Sequence, residues 1–234
     1  NGSAWSAGDA SSEAKNGAAT FGTSTAGVLS SGWTGSASVL TEEFNGTGFT
    51  TTGNMAQGGY HSGTTGTQTA GLSVAGTDNV SNFASAEEYD GTSWADGGDL
   101  GAAQYGTTTV GTLAAALTAG GDSGSRLNTA YEYNGTSWTS VTAQSETKKN
   151  SNGFGVQTDA IICGGDTGSV VTTVQIWSGS AWSSGTSMSA AKKTGISAGT
   201  GSAGLIAGGH DGSNSTDTTL EYDFGVTARS VTAS

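Results

Sequence analysis

Five short apolar runs, each closing on small residues, recur at even intervals along the chain: AGVLSSG (26–32), GLSVAG (71–76), AALTAGG (115–121), AIICGG (160–165) and LIAGG (205–209). Apolar runs this short, bounded by Gly, predict buried strands rather than helices. About a dozen residues after each run comes an aromatic: Phe44, Tyr89, Tyr133, Trp177 and Tyr222, at spacings of 45, 44, 44 and 45 residues. A second aromatic follows five residues later, as in FNGTGF (44–49), YDGTSW (89–94), YNGTSW (133–138) and WSGSAW (177–182), and Trp5 of NGSAW stands one period before Phe49. The residues between the aromatics, Asn45-Gly46, Asp90-Gly91, Asn134-Gly135 and Ser178-Gly179, supply the positive φ angles of tight turns. Each phrase therefore reads as a hairpin with one aromatic on each strand.

A third marker closes the apolar runs: Ser31-Gly32, Gly76-Thr77, Gly120-Gly121, Gly164-Gly165 and Gly208-Gly209. Four short strands per period of about 44 residues predict propeller blades, which bury their faces only against neighbouring blades. The expected fold is all-β: a single five-bladed β-propeller with four antiparallel strands per blade. Residues 1–223 form the propeller, and the strand within 1–10 joins the blade of 188–223 and closes the ring. Residues 224–234 are expected to be a C-terminal tail, and Asn1 in place of an initiator Met suggests a piece of a longer chain.

The doubled Gly followed by Tyr and then Trp resembles the kelch motif, whose repeats form propellers, and the resemblance covers essentially the whole chain. The chain departs from that family in having no Pro in its hairpins and fewer blades than is usual. Its Ser, Thr, Gly and Ala runs around NGTSW look like the kelch-type domains of bacteriophage structural proteins and environmental bacteria. That resemblance implies a virion or extracellular surface location, in a fibre, tail or capsid appendage that touches host-surface glycans or sibling proteins.

Composition narrows the function. Charged residues make up 11% of the chain, against about 25% in ordinary domains, while six Trp, six Tyr and six Phe argue for a packed fold over a disordered one. A formal net charge of -12 opposes nucleic acid and anionic membranes as partners, because phosphate contact needs clustered cations. No run approaches 18 apolar residues, so membrane insertion is not expected. Cys163 is the single cysteine; it excludes an intrachain disulfide and reads as a buried small hydrophobe inside AIICGG.

Propeller sites gather around one mouth of the central channel. Counting along the repeat, the segment leading into each innermost strand contributes Lys15, Tyr60, Gln104, Lys148 and Lys192, then Asn16, His61, Tyr105, Lys149 and Lys193. The loop after the doubled Gly contributes Trp33, Asp78, Asp122, Asp166, His210 and Asp211 to the same face. Two readings stay open: Lys and Asp pair across loops as scaffold, or Lys15, Tyr60, His61, Gln104, Tyr105, Lys148, Lys149, Lys192, Lys193 and Trp33 form a site for a glycan or acidic polymer. The hairpin aromatics, recurring at blade period, read as core.

Catalytic and metal chemistry find no complete motif. A galactose-oxidase-like copper site needs two His, two Tyr and a cross-linking Cys, and only His61, His210 and the in-strand Cys163 are present; a sialidase-like site needs three Arg, and only Arg126 and Arg229 are present. HDGSNSTD (210–217) offers Asp211, Asn214 and Asp217 to calcium but equally suits a solvated turn. Asn1, Asn45, Asn79, Asn134 and Asn214 lie in N-x-S/T sequons and are read as turn residues. No cofactor is implied. The first reading is a non-catalytic recognition or structural module; the alternatives are a carbohydrate-active enzyme using channel-face carboxylates, and a protein-interaction adaptor cut from a larger chain.

Overall fold

A computed structural model describes residues 8–223 and the backbone of Ser230 and Val231. Five separate four-stranded antiparallel sheets are arranged as the blades of a propeller. Blade 1 comprises β1 (Ala19–Thr23), β2 (Ala26–Ser30), β3 (Thr41–Phe44) and β4 (Phe49–Thr51). Blade 2 follows with β5 (Gly63–Thr67), β6 (Ala70–Thr77), β7 (Asn82–Tyr89) and β8 (Trp94–Asp96), and blade 3 with β9 (Thr108–Thr112), β10 (Ala115–Asp122), β11 (Arg126–Tyr133) and β12 (Trp138–Val141). Blade 4 holds β13 (Asn152–Val156), β14 (Asp159–Cys163), β15 (Val174–Trp177) and β16 (Trp182–Ser184); blade 5 holds β17 (Ile196–Gly199), β18 (Ala203–Ala207), β19 (Thr219–Asp223) and β20 (Ser230–Val231). The first strands of all five blades line a central channel of about 340 Å³.

The last blade differs from expectation at its edge. Ser230 and Val231 pair with Leu220 and Thr219 and take the outermost position, so two residues of the expected tail belong to the fifth sheet. The N-terminal strand assigned to that position rests on residues 1–7, which lie outside the described residues.

The hairpin phrases behave as their spacing requires. Phe44–Phe49, Tyr89–Trp94, Tyr133–Trp138 and Trp177–Trp182 are direct cross-strand partners with ring centres 4.7–5.0 Å apart. Tyr89, Tyr133 and Trp177 are buried, which makes these aromatics scaffold. The turn residues act through their side chains as well: Asn45 Oδ1 accepts the N–H groups of Thr47 and Gly48, and Asn134 Oδ1 those of Thr136 and Ser137.

Packing between blades carries the core. The apolar clusters bridge blades 2 and 3 (Leu72, Val74, Ala116, Tyr133), blades 3 and 4 (Val110, Leu117, Ala160, Ile162, Trp177) and blades 4 and 5 (Phe154, Ile161, Cys163, Ile206, Leu220). Blade 1 reaches blade 2 through Phe21, which packs on Tyr89 and Trp94. Phe21 and Phe154 each occupy the space that a Cβ on Gly71 or Gly204 of the following blade would need. Large inner residues thus face residues without side chains, and the blades close up without strain.

Polar groups add a second set of joints. Gln157 donates its amide to the carbonyls of Ala116 at 3.0 Å and Tyr133 at 2.7 Å, and Gln68 repeats the motif on Gly27 and Phe44, both at 3.2 Å. Within blades, buried carboxylates pin the loops that lead into the first strands: Glu87 accepts the N–H groups of Ala56 and Gln57, and Glu42 that of Ser12.

The junctions are unequal. One glycine of each doubled pair in blades 1 to 4 donates its N–H to the following blade: Gly32 to Gly59, Gly76 to Gln104, Gly121 to Lys148 and Gly165 to Lys192. Among the described residues, no hydrogen bond joins blade 5 to blade 1. On the side of blade 5 that would meet blade 1, Ile196 is 80% exposed, whereas its counterpart Asn152 in blade 4 is 1% exposed.

Candidate functional site

The channel mouth is built from two loops per blade, bound to one another by reciprocal backbone hydrogen bonds. Asn16 pairs with Trp33, Tyr60 with Thr77, Tyr105 with Asp122, Lys149 with Asp166 and Lys193 with His210. The following residues, Gly17, His61, Gly106, Asn150 and Thr194, all adopt the left-handed conformation, with φ of 61°, 57°, 67°, 56° and 54°. That backbone turns each N–H toward the preceding blade: His61 donates to Gly17, Gly106 to His61, Asn150 to Gly106 and Thr194 to Asn150. The mouth is therefore rimmed by a chain of blade-to-blade bonds that holds its side chains in place.

These pairings correct the register read from sequence in blade 2. Tyr60 is the counterpart of Asn16, Tyr105, Lys149 and Lys193, not of Lys15; His61 matches Gly17 and Gly106. The left-handed pair of this blade is Ala75-Gly76, with φ of 60° and 121°, rather than Gly76-Thr77. The cause is one extra residue in the loop of blade 2 that follows Thr77, which shifts any count made backward from Tyr89. Asp78 lies one place beyond the ring, and its carboxylate accepts the N–H groups of Val80 and Ser81 in its own turn.

Four of the expected ring residues do not reach the mouth. Gln104, Lys148 and Lys192 are fully buried, and the Lys15 side chain is 1% exposed. They precede the bridged residues by one and point inward among the blades. Lys15 donates to the Leu40 carbonyl, Lys192 to the Gly208 carbonyl and the Thr216 hydroxyl, and Gln104 to the Gly120 carbonyl. Lys148 Nζ finds no partner, and burial lowers its pKa.

What remains at the mouth divides into two halves. Across blades 1 to 3 runs an aromatic arc: Trp33 and Tyr60 have ring centres 5.4 Å apart and tilted by 52°, Tyr60 and His61 lie at 4.8 Å, and His61 and Tyr105 at 6.5 Å. The Tyr60 hydroxyl donates to Asn79 Oδ1 at 3.0 Å, and Val80 at the tip of the same loop is 91% exposed. Burial, and after it the charge of Lys149, holds His61 below its ordinary pKa, so the imidazole is neutral at pH 7.

Across blades 3 to 5 runs an ionic network. Lys149 lies 2.8 Å from Asp122 and donates to the Tyr105 hydroxyl at 2.6 Å. The ring centre of Tyr105 is 4.7 Å away, so this cation sits at the hydroxyl edge rather than over the face. Asp166 takes Arg126 on one oxygen at 2.7 Å and Lys193 on the other at 3.0 Å. Burial pushes the Asp166 carboxyl up, but the Gly168 N–H and the two cations outweigh it and bring it down to about 2. Asp122 is lowered in the same way, burial being overcome by Lys149 and the Gly124 N–H. Both carboxylates are ionised and spoken for.

Sequence reasoning passed over Arg126 and Asn79 as parts of this face. Arg126 starts the third strand of blade 3, directly opposite Asp122 in the register, and that placement is what could have identified it. In the fifth-blade loop that follows His210, Asp211 caps the N–H groups of Ser213 and Asn214, and among the described residues no group of three or more His, Cys, Asp or Glu side chains could hold a metal ion. Cys163 is buried, which pushes its thiol up to about 12. No protein-family model matches the chain, and no curated protein matches its sequence.

Proposed function

We propose that this protein is a non-catalytic recognition module of kelch type, displayed on a virion or cell surface, that binds glycans at the channel mouth. The observation that carries the reading is the arc of Trp33, Tyr60, His61 and Tyr105, presented on a backbone rim fixed by blade-to-blade hydrogen bonds. Aromatic faces held in place cost little to order when a ligand arrives. Two features speak for binding over hydrolysis. Asp122 and Asp166 are both lowered and ion-paired, whereas acid–base hydrolysis needs one carboxyl raised.

The test is a glycan-array screen of the protein beside a Trp33→Ala, Tyr60→Ala double variant of matched thermal stability. Binding lost in the variant supports the reading, and binding equal in both proteins refutes it. A second reading, packing against a sibling copy in an assembly, is favoured by the exposed Ile196 and Leu205 on the face of blade 5 turned away from blade 4. Light scattering of the protein and of Ile196→Ser separates it: a concentration-dependent oligomer that the substitution abolishes.

A further inference from the structure

We infer that the ligand taken at the channel mouth is an uncharged sugar ring bound on the aromatic half, and that the ionic half is not an anion receptor. This deepens the recognition reading and rests on it. The sequence, with five basic residues counted onto one ring, leaves an acidic polymer as an equal candidate. The geometry removes the cations that such a ligand needs.

Every cation at the mouth among the described residues is committed. Lys149 is held by Asp122 and the Tyr105 hydroxyl, Lys193 by Asp166, and Arg126 by Asp166 through both Nε and Nη2. Lys15, Lys148 and Lys192, counted in the same ring, are buried behind it. A carboxylate or sulfate arriving here meets three cations already facing two carboxylates, on a protein whose formal net charge is -12. It must break a pair within about hydrogen-bond distance and then sit beside the aspartate it displaced.

The aromatic half offers complementary chemistry to a neutral ring. Aromatic faces carry negative charge density and attract the weakly positive C–H groups on one side of a pyranose. The Trp33 and Tyr60 rings are tilted rather than stacked, so they do not cover one another's faces. Apart from Lys149, which is held at the Tyr105 hydroxyl by Asp122, the arc offers neutral polar atoms: the imidazole of His61, which has one donor and one acceptor, the Tyr60 hydroxyl oxygen and the Asn79 amide. Sugar hydroxyls both give and take hydrogen bonds and can use each of them.

The experiment titrates neutral oligosaccharides (maltohexaose, laminarihexaose, galactan fragments) and anionic ones (polygalacturonate, heparin, sialyllactose) against the protein from about 50 mM to about 500 mM NaCl. Surface charge attraction is largely screened at the upper end. The expected result is binding of a neutral sugar whose affinity changes less than about twofold across that range, is lost in Tyr60→Ala, and is retained in Lys193→Ala. His61→Asn, which tolerates the left-handed backbone, separates loss of the imidazole from loss of the rim: weakened binding at unchanged thermal stability supports the assignment. Binding confined to the anionic set, falling steeply with salt and lost in Lys193→Ala, overturns the inference while leaving a recognition site. No binding to either set overturns the inference and the recognition reading together.

Discussion

Phe21 of the first blade fills the volume that a Cβ on Gly71 of the second blade would occupy. The two residues lie on strands of different sheets, so the fit is a property of the junction and not of either blade. Gly71→Ala should destabilise the protein by about 1–3 kcal/mol through overpacking, read as a fall in the denaturation midpoint. Phe21→Leu combined with Gly71→Ala should recover part of that loss, with a coupling energy of about 1 kcal/mol or more in a double-mutant cycle. Additive effects would show that the two side-chain volumes are not in contact.

Two buried lysines should respond in opposite ways to the same substitution. Lys192 satisfies the Gly208 carbonyl and the Thr216 hydroxyl, so Lys192→Met should cost about 1–3 kcal/mol. Lys148 buries an amine with no hydrogen-bond partner, and Lys148→Met should be neutral or stabilising by about 1–3 kcal/mol. Chemical denaturation at pH 7 checks both.

Gln157→Leu removes two hydrogen bonds that tie blade 4 to blade 3 and leaves the Ala116 and Tyr133 carbonyls without that donor. The expected loss is about 1–3 kcal/mol with an unchanged denaturant slope. Combined with the equivalent change at Gln68, which ties blade 2 to blade 1, the losses should add, because the two junctions share no partner.

Acid should act on the ionic half through Asp166. Its folded-state carboxyl lies at about 2, below the ordinary 3.8, so the ionised form is favoured by folding. The resulting stabilisation is present above pH 4 and is lost as pH falls from about 4 to about 2; for this largely buried group it is on the order of 2 kcal/mol. Asp166→Asn should flatten the stability profile in that window. A profile unchanged by the substitution would remove Asp166 from the acid response.

The fold was legible because a repeat writes the same hairpin many times: Asn-Gly and Asp-Gly turns between paired aromatics, and apolar runs closing on Gly. The site was legible only in outline. Which loops meet followed from the period, but the extra residue after Thr77 displaced Tyr60 and His61 by one place, and one place is the difference between a side chain at the mouth and one among the blades. Lys148 and Lys149 are neighbours of identical chemistry; their separation into buried and ion-paired is set by which of them bridges to Asp166, not by residue type. The pairing of Phe21 with Gly71, 50 positions apart, and the reach of Gln157 to Ala116 and Tyr133, 41 and 24 positions away, depend on contacts across a junction that no local pattern encodes.

The hydrogen-bonded joints between blades form a series with a direction. Among the described residues, blades 1 to 4 each hand a backbone N–H to the blade that follows, which fixes the first blade to the fifth through four successive joints. Trp33, Tyr60, His61 and Tyr105 are carried by blades 1 to 3 and so span two of those joints. The aromatic face is therefore a composite of three blades, and loosening either joint beneath it would spread its rings apart.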